Sequence, residues 1–253
     1  MRVQFLGTGG YHPNERRHTA CIHLPGTGVV FDAGTAAFRL ASRLERHEID
    51  LFLSHAHLDH IVGLTYLLVP LLRGTLKRVR LYGTQGTLKA VRDHLFAEPT
   101  FPIRPAFEFS PLEDFETIAL QDGGVLTHRI LASHPGGSTA FRIDWPPERS
   151  AAQRSLAYVT DTAVDGTYLD FVRGVDVLIH ECYFPDDLAD WAAKTGHSHT
   201  TPVAQLARDT RVGKLILMHI DPERETLDPV CIQTARALHP DTLVAEDGME
   251  IAF

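Results

Sequence analysis

LSHAHLDHIVGL, residues 53–64, places three histidines and one aspartate within six positions, overlapping the end of the apolar run IDLFLS at residues 49–54. An apolar run of that length reads as a strand, and a strand that stops at a loop delivers its next residues to the rim of a sheet. There His55, His57, Asp59 and His60 can converge without competing for core volume. Imidazole nitrogen and carboxylate oxygen are donors that zinc takes at about 2.0–2.2 Å, and a catalytic site keeps one position open for water. Four such donors are too many for one open ion and too few for two, so further ligands are expected elsewhere in the chain.

The surrounding chain reads as globular. Its 253 residues can bury a sizeable core, and 44% hydrophobic with 22% charged residues is ordinary for that class. No apolar stretch approaches the roughly 20 residues of a membrane helix. MRVQFLGTGG has one basic residue and then glycine, so it does not read as a signal peptide, and a cytoplasmic location without membrane contact is expected. The net charge of -8 argues against broad affinity for nucleic acid or anionic membrane but leaves room for a local basic patch. Cys21, Cys182 and Cys231 are widely spaced and form no CxxC pair, so all three are expected as buried, reduced thiols. Fifteen histidines are more than packing alone calls for.

No repeat, low-complexity tract or Ser/Gly linker divides the sequence, which predicts one domain over residues 1–253. VQFLG, TACIHL and GVVFDAG read as opening strands. Residues 35–47 carry Phe38, Leu40, Ala41 and Leu44 at roughly helical spacing and predict a helix. RVRLYG (78–83) reads as a strand followed by an amphipathic helix in TQGTLKAVRDHLF. GGVLTHRILASH, TAFRIDW and RSLAYVTDT alternate as antiparallel strands. VDVLIHE and KLILMHI are apolar strands separated by a helical TPVAQLARDTR, and TLVAEDGMEIAF predicts two small strands about a turn at Asp247 and Gly248. These elements define an α/β chain, an αββα sandwich of two mixed β-sheets with outer helices.

H-x-H-x-D-H behind an apolar strand resembles the signature of the metallo-β-lactamase fold hydrolases, in which a distant His, a distant Asp and a final His follow. Three later strand ends supply them in order: His134 in LASHPGG, Asp161 in YVTDT and His219 in ILMHIDP. The resemblance runs from LGTGG to EDGMEIAF. It implies that His55, His57 and His134 hold one metal, that Asp59, His60 and His219 hold a second, and that Asp161 bridges them. It also implies that the nucleophile is a hydroxide shared by the ions, with Asp59 as acceptor of its proton, because coordination lowers the pKa of water from about 15.7 toward about 7. An all-nitrogen-and-oxygen donor set suits two Zn2+, with Mn2+ or Fe2+ as alternatives. His57 in place of Glu separates the chain from the diiron flavoprotein branch, and the lack of a Cys ligand separates it from the commonest true β-lactamases.

Three local features resemble the ribonuclease Z and phosphodiesterase branch. FLGTGGYHPNERRHTA is similar to its Gly-rich first turn, IHECYF (179–184) to its His-Glu-Ala-Thr-Phe stretch, and GHSHTTPVAQLA (196–207) to its His-Ser-Thr helix start. The HxHLDH form also resembles class II cyclic nucleotide phosphodiesterases and small cyclic-phosphate diesterases. Phosphodiester cleavage needs charge neutralised on the phosphate oxygens and a proton for the leaving oxygen. The resemblance assigns the proton to His197, with Glu181 orienting or charging its ring. Ser198, Thr200 and Thr201 also stand where the following helix needs a cap, with Pro202 in its first turn.

Arg16 and Arg17 are candidate phosphate contacts or a solvated basic pair. His199 is placed at the rim and His180 beside Glu181, while His12, His18, His23, His47, His94, His128 and His239 are read as packing or surface residues, with His12 and His18 the first candidates among them to edge the pocket. EPTFPIRP (98–105) is a lid or a plain connection. Ribonuclease Z proteins carry a transfer-RNA-clamping arm in the region corresponding to 142–157, and IDWPPERSAAQRSLA leaves no room for one. The expectation is therefore hydrolysis of a small or cyclic phosphodiester, with RNA 3′ processing as a near neighbour. The alternatives are a lactonase or thioesterase using the same centre, or a non-catalytic metal-binding protein. A homodimer is implied by the ribonuclease Z resemblance alone.

Overall fold

The computed structural model describes residues 1–114, 116–147 and 153–253. Contacts divide the chain into two compact units, Met1–Glu116 with Asp247–Ala252, and Thr117–Glu246 with Phe253. Among the described residues the strands are β1 (Arg2–Gly7), β2 (Cys21–Leu24), β3 (Val29–Phe31), β4 (Glu48–Phe52), β5 (Arg78–Gly83), β6 (Glu108–Pro111), β7 (Ile118–Ala119), β8 (Val125–Leu131), β9 (Ser138–Trp145), β10 (Arg154–Val159), β11 (Val177–Glu181), β12 (Lys214–Met218), β13 (Thr242–Val244) and β14 (Glu250–Ala252).

Each unit holds one seven-stranded sheet. The first runs β14-β1-β2-β3-β4-β5-β6 and the second β7-β8-β9-β10-β11-β12-β13. Along both orders the first three pairings are antiparallel and the last three parallel. Both sheets are therefore mixed, as the sequence predicts. Parallel strands covered on both faces read as continuous apolar runs rather than alternating ones, and Ile49, Leu51, Phe52 and Leu53 are accordingly all buried. Leu51, Leu53, Val79 and Leu81 belong to the core of the first unit. Leu178, Leu215 and Leu217 pack with Val203, Leu206 and Ala207 of the helix Thr200–Asp209 in the core of the second.

Two expectations need correction. The helix predicted over 35–47 is a 3-10 helix, Thr35–Ser42, that buries Ala36, Ala37 and Leu40 and leaves Phe38 53% exposed. Its three-residue turn stacks Ala37 over Leu40 and rotates Phe38 off the face that 3.6-residue spacing assigns to it. Cys231 is exposed, whereas Cys21 and Cys182 are buried. The two small strands near the C-terminus stand on either side of a turn at Asp247 and Gly248, as the sequence predicts, and they enter different sheets: β13 joins β12 and β14 joins β1. Asp247 between them is no ordinary turn residue. Its carboxylate accepts the Thr8 N–H at 3.0 Å, the Thr8 hydroxyl at 2.8 Å and the His18 N–H at 2.8 Å, and it pairs with Arg39. These bonds tie the chain to the first unit before β14 begins.

The segment 98–105 is a connection anchored by Phe101, whose ring packs edge-on to Phe96 at 4.9 Å. The short interval 143–157 includes residues 148–152, which lie outside the described residues; on either side of them Trp145 pairs with Arg154. Among the described residues no helix is long and apolar enough to cross a membrane.

Candidate metal centre

In the first unit the donors sit on the loop that leaves β4. β3 and β4 are parallel, so the residues after each emerge at the same edge. Asp32, directly after β3, is fully buried and left-handed at φ 57°. Its carboxylate accepts the Ser54 N–H at 2.8 Å, the Ser54 hydroxyl at 2.9 Å and His60 Nδ1 at 2.8 Å. An ionised carboxylate only accepts, so His60 carries its proton on Nδ1 and presents the Nε2 lone pair. Having donated to Asp32, the Ser54 hydroxyl can accept from His55 Nδ1 at 3.0 Å, which gives His55 the same tautomer. Metal-ligating histidines are oriented by such partners on the far ring nitrogen.

The His55 ring lies 4.4 Å from His57 and 4.3 Å from His60. The single turn Leu58–Ile61 carries Asp59 beside His60, with Oδ2 3.3 Å from His60 Nε2. The Tyr11 N–H donates to the same oxygen at 2.8 Å. Gly34 permits this approach, because a Cβ there would stand 2.2 Å from the Asp59 carbonyl oxygen. Asp32 and Ser54 have no signal in the sequence beyond an acid placed between a strand and a glycine, in FDAG, and a hydroxyl ahead of the histidines.

In the second unit the donors arrive one by one. β10, β11 and β12 are parallel, and β8 runs in the same sense because β9 is antiparallel to both β8 and β10. Their C-terminal ends therefore share one edge, where α/β sheets bind ligands. His134 follows β8, Asp161 follows β10, Glu181 closes β11 and His219 follows β12. Asp161 and His219 are left-handed at φ 47° and 58°, a conformation costing about 1–3 kcal/mol for such residues and concentrated at functional sites.

The two oxygens of Asp161 face different rings. Oδ2 is 3.7 Å from His134 Nε2 and Oδ1 is 3.4 Å from His219 Nε2. Two ligands about 2.0–2.2 Å from one tetrahedral ion lie roughly 3.3–3.6 Å apart. The Asp161 pairs and the Asp59–His60 pair match that span to about 0.1 Å, and the donor chemistry fits a divalent cation. Donor atoms of Asp161, His197 and His219 also lie within 4.8 Å of one another.

Glu181 is fully buried, and its carboxylate accepts three N–H groups: Thr162 N–H at 2.7 Å, His197 Nδ1 at 3.0 Å and Ser198 N–H at 3.2 Å. Saturating a buried carboxylate with donors offsets the cost of removing its charge from water. His197 follows Gly196, at φ 74°, where a Cβ would stand 2.9 Å from His134 Cα. That glycine lets the His197 ring come within 4.7 Å of the His134 ring.

Other expectations resolve differently. The helix Thr200–Asp209 receives no side-chain cap from its own first turn. Instead Asp186 accepts the Thr201 N–H at 2.8 Å and the Thr201 hydroxyl at 2.5 Å, and His199 Nδ1 contacts the same carboxylate at 2.7 Å. Burial works against the Asp186 charge, but these Thr201 and His199 bonds hold its pKa below the ordinary range. His180 is buried, with Nε2 2.8 Å from the Tyr168 hydroxyl and Nδ1 2.6 Å from the Glu181 carbonyl, and burial lowers its pKa. Arg17 is buried and donates to the Thr8 hydroxyl at 2.6 Å, so it braces the first turn, while Arg16 is exposed.

A family model described as "Beta-lactamase superfamily domain" matches residues 27–220, and the chain belongs to that superfamily. Within it, a protein of Methanosarcina mazei named Ribonuclease Z is 26% identical over 298 aligned positions, covering 99% of this chain and 97% of its own length. The alignment is longer than the 253 residues here, so that relative carries insertions this chain lacks. Two solved structures share the fold. The metallo-beta-lactamase fold protein YhfI of Bacillus subtilis matches with a TM-score of 0.80 at 19% identity, over 99% of this chain and 98% of its own. Human tRNase Z, short form, matches at 0.73 and 22% identity, over 100% and 99%.

Proposed function

We propose that the chain is a metal-dependent hydrolase of the ribonuclease Z type, a phosphodiesterase acting on a small or cyclic phosphodiester or an RNA 3′ end. In this reading the two units form one domain over 1–253. His55, His57 and His134 would hold one divalent ion and Asp59, His60 and His219 a second, with Asp161 as the ligand common to both. The all-nitrogen-and-oxygen donor set would suit Zn2+, with Mn2+ or Fe2+ able to replace it. When bound, they supply positive charge against the phosphate oxygens and make water at the site more acidic.

The chain's own residues do the rest. Asp59, held through Oδ2 by the Tyr11 N–H, accepts the proton of the attacking water. His197 gives a proton from Nε2 to the leaving oxygen. Glu181 holds the opposite ring nitrogen and balances the charge that ring carries before transfer. The observation that carries this reading is the His197–Glu181 pair, a partly buried imidazole fixed at 3.0 Å to a wholly buried carboxylate. The short interval 143–157, where the resembling ribonuclease Z proteins carry a transfer-RNA-clamping arm, favours a small or cyclic diester over transfer RNA. A homodimer belongs to the same reading, and static light scattering reports the mass directly.

The test is a zinc- or manganese-loaded assay on bis(p-nitrophenyl) phosphate, 2′,3′- and 3′,5′-cyclic nucleotides, precursor transfer RNA and an acyl lactone. General acid catalysis contributes about 10²–10⁴-fold. His197→Ala should lower turnover of the cyclic nucleotides by that order while metal content is unchanged. Lactone turnover alone, indifferent to His197, would make the chain a lactonase using the same centre. Bound metal with no turnover of any ester would make it a non-catalytic metal-binding protein.

A further inference from the structure

The bond from His197 Nδ1 to Glu181 holds one ring nitrogen, and a single hydrogen bond does not by itself set the plane of a ring. A proton donor that swings aims Nε2 at the leaving oxygen only part of the time. Something must set the plane of the ring.

The His134 ring lies 4.7 Å away but tilted at 56°, whereas the ring at that distance that lies flat against it is Tyr183. Its ring is stacked on His197, with centroids 4.7 Å apart and planes 23° from parallel. It also lies 5.6 Å from the His219 ring, and His197 and His219 are themselves 5.6 Å apart at 28°. The three rings form a close triangle beside Asp161.

The placement is built in by the backbone. The Tyr183 N–H donates to the Ser198 carbonyl at 3.1 Å, the Phe184 N–H reaches the same oxygen at 3.3 Å, and Phe184 bridges to His199. One residue earlier, the Cys182 N–H donates to the Met218 carbonyl at 2.9 Å. The segment 182–184 is thus pinned on one side to the turn carrying His197 and on the other to the strand end carrying His219. In the similar His-Glu-Ala-Thr-Phe stretch the position of Tyr183 is a threonine, which has no ring to stack.

We infer that Tyr183 is a positioning residue that fixes the plane of the His197 ring, so that Nε2 is aimed at the leaving oxygen. The inference rests on the phosphodiesterase reading for its consequence in turnover, but not for the ring geometry. It takes a flat side chain and not the phenol hydroxyl, so phenylalanine substitutes for tyrosine and leucine does not.

The experiment compares wild type, Tyr183→Phe and Tyr183→Leu in two ways. In metal-free protein with labelled histidine, NMR follows the His197 Nδ1–H that bonds Glu181. Its resonance is expected to be sharp in wild type and Tyr183→Phe and broadened by exchange in Tyr183→Leu. In metal-loaded protein, kcat is measured on a cyclic nucleotide, whose alkoxide leaving group needs a proton, and on bis(p-nitrophenyl) phosphate, whose phenolate does not. Misalignment of a catalytic group costs up to about 100-fold. Tyr183→Leu should therefore lose about 10- to 100-fold on the first substrate with less than about threefold change on the second, with KM little altered. An unchanged Nδ1–H signal in Tyr183→Leu overturns the inference, and so does equal loss on both substrates. If wild type cleaves neither diester, the phosphodiesterase reading falls and the NMR comparison alone decides the ring-positioning claim.

Discussion

The two sheets repeat one pairing pattern and put it to different use. In each, the strand where antiparallel pairing gives way to parallel pairing, β3 or β10, is followed within two residues by a left-handed aspartate, Asp32 or Asp161. Asp32 turns inward and fastens its own loop, binding Ser54 twice and His60 once. Asp161 turns its two oxygens toward two different histidines. The first unit gathers its donors on one loop held by one carboxylate. The second collects them from separate strand ends and ties the surrounding segments together through Glu181. One scaffold thus yields either a contiguous cluster or a dispersed one, depending on whether the acid at the switch strand serves the loop or faces the site.

That contrast can be broken most directly at Glu181. Glu181→Ala leaves the Thr162 N–H, the Ser198 N–H and His197 Nδ1 without their acceptor, and should cost about 3–5 kcal/mol in urea unfolding. A loss under about 1 kcal/mol would mean that Glu181 does not hold the second unit together.

The first unit has an acid-sensitive element of its own in His23 of β2, buried with Nδ1 3.2 Å from Gln4 Oε1. Burial lowers its pKa from the ordinary 6.5 to about 4. A depressed folded-state pKa means that the unfolded chain takes up the proton first. The contribution of His23 is therefore complete above pH 6.5 and is lost as pH falls toward about 4, an effect of about 3 kcal/mol. Unfolding measured from pH 7 to 4 should show that slope, and His23→Gln should flatten it.

Asp32→Asn sharpens the comparison from the other side. It places an amide N–H against donors and should cost about 1–3 kcal/mol of stability. By loosening His60 it should also weaken zinc binding about 10- to 100-fold, read by competition with a chelating dye. Unchanged affinity would show that Asp32 serves only the fold. The smallest effect is expected from Asp186→Ala, which removes the acceptor for Thr201 and should cost about 1 kcal/mol. In the native chain that contribution is present above the ordinary carboxylate pKa and fades as pH falls through the lowered value of Asp186.

Much of this was legible in the sequence. The strands around VDVLIHE and KLILMHI are short apolar runs whose burial on both faces is written in their composition. The HxHxDH stretch is legible because its donors are consecutive. His134, Asp161 and His219 were found through the family pattern, since nothing local marks each as a ligand. The 3-10 winding of Thr35–Ser42 is not legible, because apolar spacing over so short a run does not separate a three-residue turn from a 3.6-residue one. Nor is the sheet each C-terminal strand joins, which is decided by pairing with strands far away in the chain.

The sequence by itself determined the donor chemistry, all imidazole and carboxylate, and the strands whose ends present it, because these follow from side-chain type and local period. Only the tertiary structure decided which nitrogen of His55 and His60 bears the proton, that Asp161 divides its oxygens between two rings, and that Tyr183 lies flat on His197. Those are matters of direction and distance among residues far apart in the chain, and a carboxylate or ring has no orientation until its partners are in place.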